Sequence, residues 1–361
     1  MTSEPSAATA LPQARRSSRA PSRTFLRFLL RRLAALVLLS LGITLIAFLL
    51  TQLVPADPVA ANLGEQAAAD PAAVEDFRQR YGLDQPLPVQ YGVYVYRLLQ
   101  GDLGQSQQNH DPVRHDLAVF IPATVELGLL SILFAGVVGI GLGVAAAMRR
   151  NRLSDHVLRV ISLGGISMPT FWLALVSVYV FFYRLNWVPG SDRLDPGVLA
   201  PPHVTGLYSL DALFAGQWST LVNALHHLVL PALVLAAANV GLLTRYTRSA
   251  VLEVIQNDYV RAARAKGMPE RVVVLRHVLR AALPSVITVL GLVFANVLTG
   301  AVLVENIFSW PGVGQYAYRS AVNLDLPAIM GVSLFVAVVY ITTNFIVDIL
   351  YGVIDPRIRI T

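Results

Sequence analysis

The sequence predicts an all-α, polytopic membrane protein with six transmembrane helices, and three observations carry that prediction. Hydrophobic residues make up 55% of the 361 residues and charged residues 14%, poorer in charge than a soluble domain. Six apolar runs are each long enough, at about 1.5 Å rise per residue, to cross a hydrocarbon core of roughly 30 Å. Arginine and lysine fall mostly in alternate connections, which assigns both termini to the cytoplasm.

In order along the chain, residues 1–24 are rich in Ser, Ala, Pro and Arg, without periodicity, and read as a disordered basic arm. Residues 25–54 form the first span: Arg27, Arg31 and Arg32 precede a run, 33–54, that holds no charge. A signal peptide competes for this run, with Val54-Pro55-Ala56 as a poor cleavage site. The apolar core is too long for one, so the helix reads as retained.

Residues 55–116 form an external loop with nine acidic residues. Within it, 75–80 reads as a short helix, Tyr81-Gly82-Leu83-Asp84-Gln85-Pro86 as a turn, and 89–99 as a second helix, so the loop reads as folded. Residues 117–361 hold five further spans, 122–148, 160–183, 221–243, 281–304 and 328–349. A charge at a span centre costs about 2.5–3.5 kcal/mol on insertion scales. Only two acids, Glu126 and Asp348, fall inside spans, both near ends. Pro169 and Pro231 are expected to kink or widen their helices, which neighbouring helices tolerate.

The N-terminal segment, 148–159, 244–280 and the tail after 347 hold 21 Arg or Lys, against 7 in the intervening connections. The basic residues are therefore spread among short segments, and nucleic acid, which needs them on one face, is excluded as a partner. The surrounding partner is membrane lipid. Zero cysteines exclude disulfides, zinc fingers and thiol catalysis.

The 244–280 connection contains the most distinctive stretch, which runs on to Pro284 as DYVRAARAKGMPERVVVLRHVLRAALP, from Asp258. Read as a helix to Lys266, it places Tyr259, Ala262, Ala263 and Lys266 on one face at i, i+3, i+4, i+7, with Arg261 and Arg264 pointing elsewhere. The paired alanines let another protein's surface come close. Gly267 supplies a residue free to turn left-handed at the helix end, and Pro269 stops the helix from continuing. A short helix, a sharp turn and a second helix through Leu283-Pro284 follow.

Ala262-Ala263, three residues, then Gly267, with Leu283-Pro284 downstream, resembles the cytoplasmic "EAA" loop of membrane subunits of binding-protein-dependent ABC importers. Arg261 stands where the general motif has Glu, and the interval to Leu-Pro is longer. Both departures resemble the dipeptide/oligopeptide/nickel permease branch, which typically reads YVRxAxAKG. YGLDQPLPVQY at 81–91, GDLGQS at 101–106, Glu305-Asn306-Ile307-Phe308 with Pro311-Gly312-Val313-Gly314, and Asn344, Asp348, Tyr351 and Asp355-Pro356-Arg357 resemble further signatures of that branch. The resemblance runs from about residue 25 to 360.

That resemblance implies a permease subunit in a bacterial inner membrane, forming half of the pathway for di- or oligopeptides delivered by an extracytoplasmic solute-binding protein. It implies a second, homologous permease and two ABC ATPase subunits as partners, with the 244–280 loop supplying a coupling helix between spans 4 and 5. Tyr259, Arg261, Ala262, Ala263, Lys266 and Gly267 are the residues it assigns to ATPase docking. A nickel chelate or glutathione remains an alternative solute within the branch.

No cofactor is expected in this chain. Lys266 is its only lysine and is followed by Gly, so it contains no G-x-x-x-x-G-K-[ST] phosphate loop; ATP and Mg are expected on the partner ATPases. The chain is not expected to be an enzyme, and no nucleophile-and-base set or His-Glu-x-x-His helix assigns a catalytic or metal site. His226 and His227 diverge by about 100° on a helix and read as an interfacial or loop-contacting pair, and Glu305 and Asp325 as loop-fixing acids. Candidate pathway groups are Ser167, Asn239, Asn296, Thr299 and Asn344, which equally suit helix–helix hydrogen bonds. Gly136, Gly139, Gly141 and Gly143 suit close helix packing. A proton-coupled secondary transporter, with Glu126 or Asp348 as relay, is the alternative function class.

Overall fold

Apolar segments in lipid must satisfy their backbone groups internally, and helices do so within one segment. The computed structural model describes residues 30, 34–35, 37–46, 48–49, 70–81, 84–153, 155, 157, 160, 164 and 168–354. Outside the described residues lie the 1–24 arm, parts of the 33–54 run, Val54-Pro55-Ala56, residues 55–69, Gly82-Leu83, Ser167 and Asp355-Pro356-Arg357. Among the described residues, regular structure is helical apart from one isolated bridge, Gln105 to Pro112.

A short apolar helix, α1 (Val37–Ile46), is followed by α2 (Pro71–Tyr81) and α3 (Leu87–Leu99). Next come α4 (Val113–Met148), α5 (Thr170–Ser177), which continues as a π-helical run Val178–Arg184, and the short α6 (Tyr208–Phe214). The long α7 (Trp218–Val254) leads into α8 (Asp258–Ala265), then α9 (Glu270–Val272), a π-helical run Val273–Leu279, and α10 (Arg280–Gly300). α11 (Val302–Ile307), α12 (Val313–Val322) and α13 (Leu326–Ile354) complete the described chain. Among the described residues, four helical stretches are long and apolar enough to cross a membrane: Val113–Met148, Trp218–Val254, Glu270–Phe294 and Leu326–Val347.

Several helices outrun the apolar stretches that predict them. α4 and α7, with 36 and 37 residues, reach about 54–56 Å at ~1.5 Å per residue, well beyond a hydrocarbon core. Polar ends of both helices therefore project past the apolar layer. Pro231 lies inside α7, and Pro122 and Pro284 lie inside α4 and α10. Pro169 behaves otherwise: it is extended (φ −60°, ψ 130°) and sits at the N-cap of α5, so no kinked helix runs through it. The widening of this region falls at Val178–Arg184.

The most extensive helix contact among the described residues joins α4 to α7. A Cβ on Gly139 would stand 2.7 Å from Leu243 Cβ, and one on Gly143 would stand 2.6 Å from Thr247 Cβ and 2.8 Å from the Thr244 carbonyl. Gly136 meets only ordinary contact with Leu290, and Gly141 faces open space. Only two of the four predicted packing glycines are thus spatially required.

Among the described residues, most buried apolar side chains gather in three clusters. The largest joins α4, α7 and α10 through Leu127, Leu228, Leu235, Leu243 and Val293, and reaches Phe308 and Trp310. A second, at the α8 end, gathers Ala147, Val251, Val260, Ala263, Val273, Val278 and Ala282. The third, at the far end, holds Val113, Leu117, Val313, Tyr316, Ala328 and Val332. The rods α4 and α7 connect the two ends.

Candidate functional site

The helix α8 begins after Asn257, whose extended backbone (φ −68°, ψ 147°) ends the link from α7, and carries Asp258 in its first turn. An acid there suits the positive end of the helix dipole. Val260 and Ala263, one turn apart, are 0% and 6% exposed and pack against the ends of α4, α7 and α10. Tyr259 is 47% exposed, and Arg261, Ala262 and Lys266 are exposed as well. The predicted face therefore divides. Ala263 belongs to the inner side, because apolar Val260 sets which side of the helix is buried.

The helix ends in a defined turn. Gly267, at φ +75°, donates to the Arg264 carbonyl at 2.9 Å, while Met268 donates to the Ala263 carbonyl at 3.4 Å. That pair of bonds is the Schellman pattern, and Met268 packs on the cluster that contains Ala263. Pro269 (φ −55°, ψ 137°) then caps α9. Across the turn, Arg264 donates from Nε and Nη2 to the two Glu270 oxygens at 3.1 and 2.6 Å. The product is a fixed, basic knuckle, its inner side anchored to three long helices and its outer side bearing Tyr259, Ala262 and Lys266.

Beside the knuckle lies an ion pair, its acid buried and its arginine partly exposed, that the sequence alone does not reveal. Asp155 is 0% exposed and accepts Nε and Nη2 of Arg248 at 2.9 and 2.8 Å. The one available signal is that Asp155 is the sole acid in the arginine-rich 148–159 connection.

At the far end, the first turns of α4 hold three loop segments, around Asn109, Arg193 to Ser209 and Trp310 to Val313. Asp116 accepts from Asn109 Nδ2 and from the Tyr316 hydroxyl, both at 2.9 Å. Thr124 donates to Glu305 at 2.7 Å and accepts the Val313 N–H at 2.8 Å, while the Ala123 carbonyl accepts Trp310 Nε1 at 2.9 Å. Glu126 accepts Arg193 Nη2 at 2.6 Å and the Ser209 N–H at 2.7 Å. The Arg193 guanidinium lies 3.5 Å from the Tyr208 ring centroid. Glu126 is thus a structural anchor for the loop after α5, which leaves it poorly placed as a proton relay.

The same end places the other polar residues singled out by sequence. Glu305, fully buried, also accepts the Gln315 N–H at 2.9 Å, and a Cβ on Gly312 or Gly314 would strike its carboxylate. Asp325 accepts from the Ser106 hydroxyl and from the Ala328 N–H. His227 Nδ1 lies 2.8 Å from the Ser191 carbonyl oxygen, and His226 Nε2 lies 2.7 Å from that of Trp187. Both histidines contact a loop. Asp211 binds the Thr205 hydroxyl and the N–H groups of Val204, Thr205 and Gly206. Burial works to raise its pKa, and those donors outweigh it, holding the carboxyl below the usual carboxylate range.

The pathway candidates are spread over several helices. Asn239, on α7, spends its amide on the Leu235 carbonyl of its own helix at 2.8 Å. Asn296 is exposed on α10, Thr299 lies on the same helix, and Asn344 is half-buried on α13. Ser167 lies outside the described residues.

Comparison with known proteins bears on both ends. Residues 139–360 match the family described as binding-protein-dependent transport system inner membrane component, and residues 25–128 match its N-terminal counterpart. A probable D,D-dipeptide transport system permease protein of Escherichia coli (strain K12) is 45% identical over 335 residues, 93% of this chain and 98% of the relative. A di/tripeptide transport system permease protein of Pseudomonas aeruginosa (strain UCBPP-PA14) is 44% identical, covering 92% and 99%. A dipeptide transport system permease protein of Alkalihalophilus pseudofirmus is 39% identical, also covering 92% and 99%. These matches embrace both the knuckle and the far-end loops, and the chain belongs to the family of binding-protein-dependent transport system inner membrane components.

Proposed function

We propose that this chain is one of two permease subunits of an ATP-driven importer and forms half of the path for di- or oligopeptides. Six spans with both termini in the cytoplasm put the knuckle on the cytoplasmic side and the loops gathered by α4 outside. Two ABC ATPases, carrying ATP and Mg, grip the outer side of α8, and a solute-binding protein delivers peptide to the opposite face. Closure of the ATPases displaces α8, and the inner contacts of Val260 and Ala263 pass that displacement into α4, α7 and α10.

The observation that carries this reading is the knuckle itself, a short helix fixed on one side and exposed on the other. The peptide solute is supported by relatives named for dipeptide and di/tripeptide transport. Gentle affinity isolation of the assembly, followed by mass spectrometry of subunits and trapped ligand, tests it. Co-isolation of a second permease and ATPase subunits with bound peptide is expected. A chain recovered without any ATPase, or with a nickel chelate or glutathione trapped, would overturn the corresponding part.

A further inference from the structure

The docking reading leaves unexplained how motion at the knuckle reaches the connection between α4 and α5. Arg248 lies on α7 beside Ala250 and Val251, which share the buried cluster of Val260 and Ala263. Its guanidinium closes a two-pronged contact, at 2.9 and 2.8 Å, on a carboxylate 93 residues earlier in the chain. That carboxylate, Asp155, also accepts the N–H of Asn151 at 3.1 Å, and Asn151 itself is left-handed (φ 63°). One stretch of α7 is therefore tied to α8 through apolar packing and to the 149–155 loop through an ion pair.

Charge makes this tie selective. The loop carries Arg149, Arg150 and Arg152 and no other acid, so without Asp155 it would repel Arg248. A fork matched to a carboxylate fixes orientation as well as distance, which a single ammonium contact does not. We propose that Asp155 and Arg248 are positioning residues for transport: they make the turn after α4, held through Asn151 and Asp155, move with α7 and α8. Displacement of the knuckle then reaches the turn that follows α4. The proposal rests on ATPase docking at α8.

The test uses the complete complex, reconstituted in vesicles with its binding protein outside, and reads dialanine imported per ATP hydrolysed, per assembled complex. Asp155→Asn and the neutral double variant Asp155→Asn/Arg248→Gln are expected to import about two- to thirty-fold fewer dipeptides per ATP, the range for residues that carry coupling between sites. Arg248→Lys, which keeps the charge without the fork, is expected to lose less. The double variant removes the charge left unpaired, so a purely structural pair would regain the wild-type ratio in it, and that result would overturn the proposal. If neither asparagine variant assembles, Arg248→Lys decides alone: a lowered ratio supports the role and a wild-type ratio overturns it. Gly267→Val run in parallel separates the two layers. Normal coupling there sinks the docking reading, whereas uncoupling there with normal coupling in the Asp155 variants sinks only this pair.

Discussion

Replacing Gly267 tests the knuckle at its most exacting position. Its φ of +75° is left-handed, where a Cβ costs an L-residue about 1–2 kcal/mol. No atom lies within 4 Å of a Cβ built there, so the cost is backbone strain and not a clash. A loss of ~1–2 kcal/mol changes a two-state population by roughly 5–30-fold, and the bonds from Gly267 and Met268 back to α8 depend on that state. Asn tolerates this conformation better than Ala, and a β-branched residue is worst. Dipeptide import per ATP by the reconstituted complex should therefore fall in the order Gly, Asn, Ala, Val. Wild-type coupling in Gly267→Val would refute the reasoning, and equal damage from Asn and Val would show that φ is not the cause.

Three further outcomes follow from packing and charge. Gly143→Ala should destabilise the purified protein by about 1–3 kcal/mol through overpacking against Thr247 and Thr244, read as a lowered Tm, whereas Gly141→Ala, with nothing within 4 Å, should not. Glu126→Gln should cost about 3–5 kcal/mol by stranding Arg193, whose side chain is 7% exposed. Adding Arg193→Met should recover part of the lost Tm. The depressed pKa of Asp211 sets a pH dependence: its contribution is complete above the usual carboxylate range and drains away as pH falls through the lower folded value. Hydrogen exchange around Val204–Gly206, corrected for intrinsic rates, should lose protection in that acid window and be flat across it in Asp211→Asn.

Local signals make the knuckle legible in the sequence itself. Gly267 and Pro269 are punctuation that acts on their own neighbours, so a few residues suffice to place the helix end and restart. The orientation of α8 is harder to read. Helical spacing groups Ala263 with Tyr259 and Lys266, yet burial is decided by apolar partners such as Val251 and Val278 that lie elsewhere in sequence. Pro169 shows the same limit, because a proline reads alike as a kink within a helix or as the start of one.

Long-range pairs are the least legible. Glu126 stands out as an acid near a span end, but its partner Arg193 lies 67 residues away, and Asp155 and Arg248 are 93 apart. Nothing local says which arginine either acid holds. An interfacial or loop-contacting role for His226 and His227 follows from their divergence on one helix, and a loop-fixing role for Glu305 and Asp325 from their place between spans. Their distant partners cannot be read, since Thr124 on α4 reaches Glu305 across 181 residues.

Energy source is the sharpest discriminator for the whole mechanism. Vesicles containing the purified chain alone, or the full complex with its ATPases and binding protein, would be given labelled dialanine under either ATP or an imposed proton gradient. Import by the full complex with ATP, and none by the chain alone under any gradient, is the expected result. Import by the chain alone, driven by protons and indifferent to ATP, would contradict it.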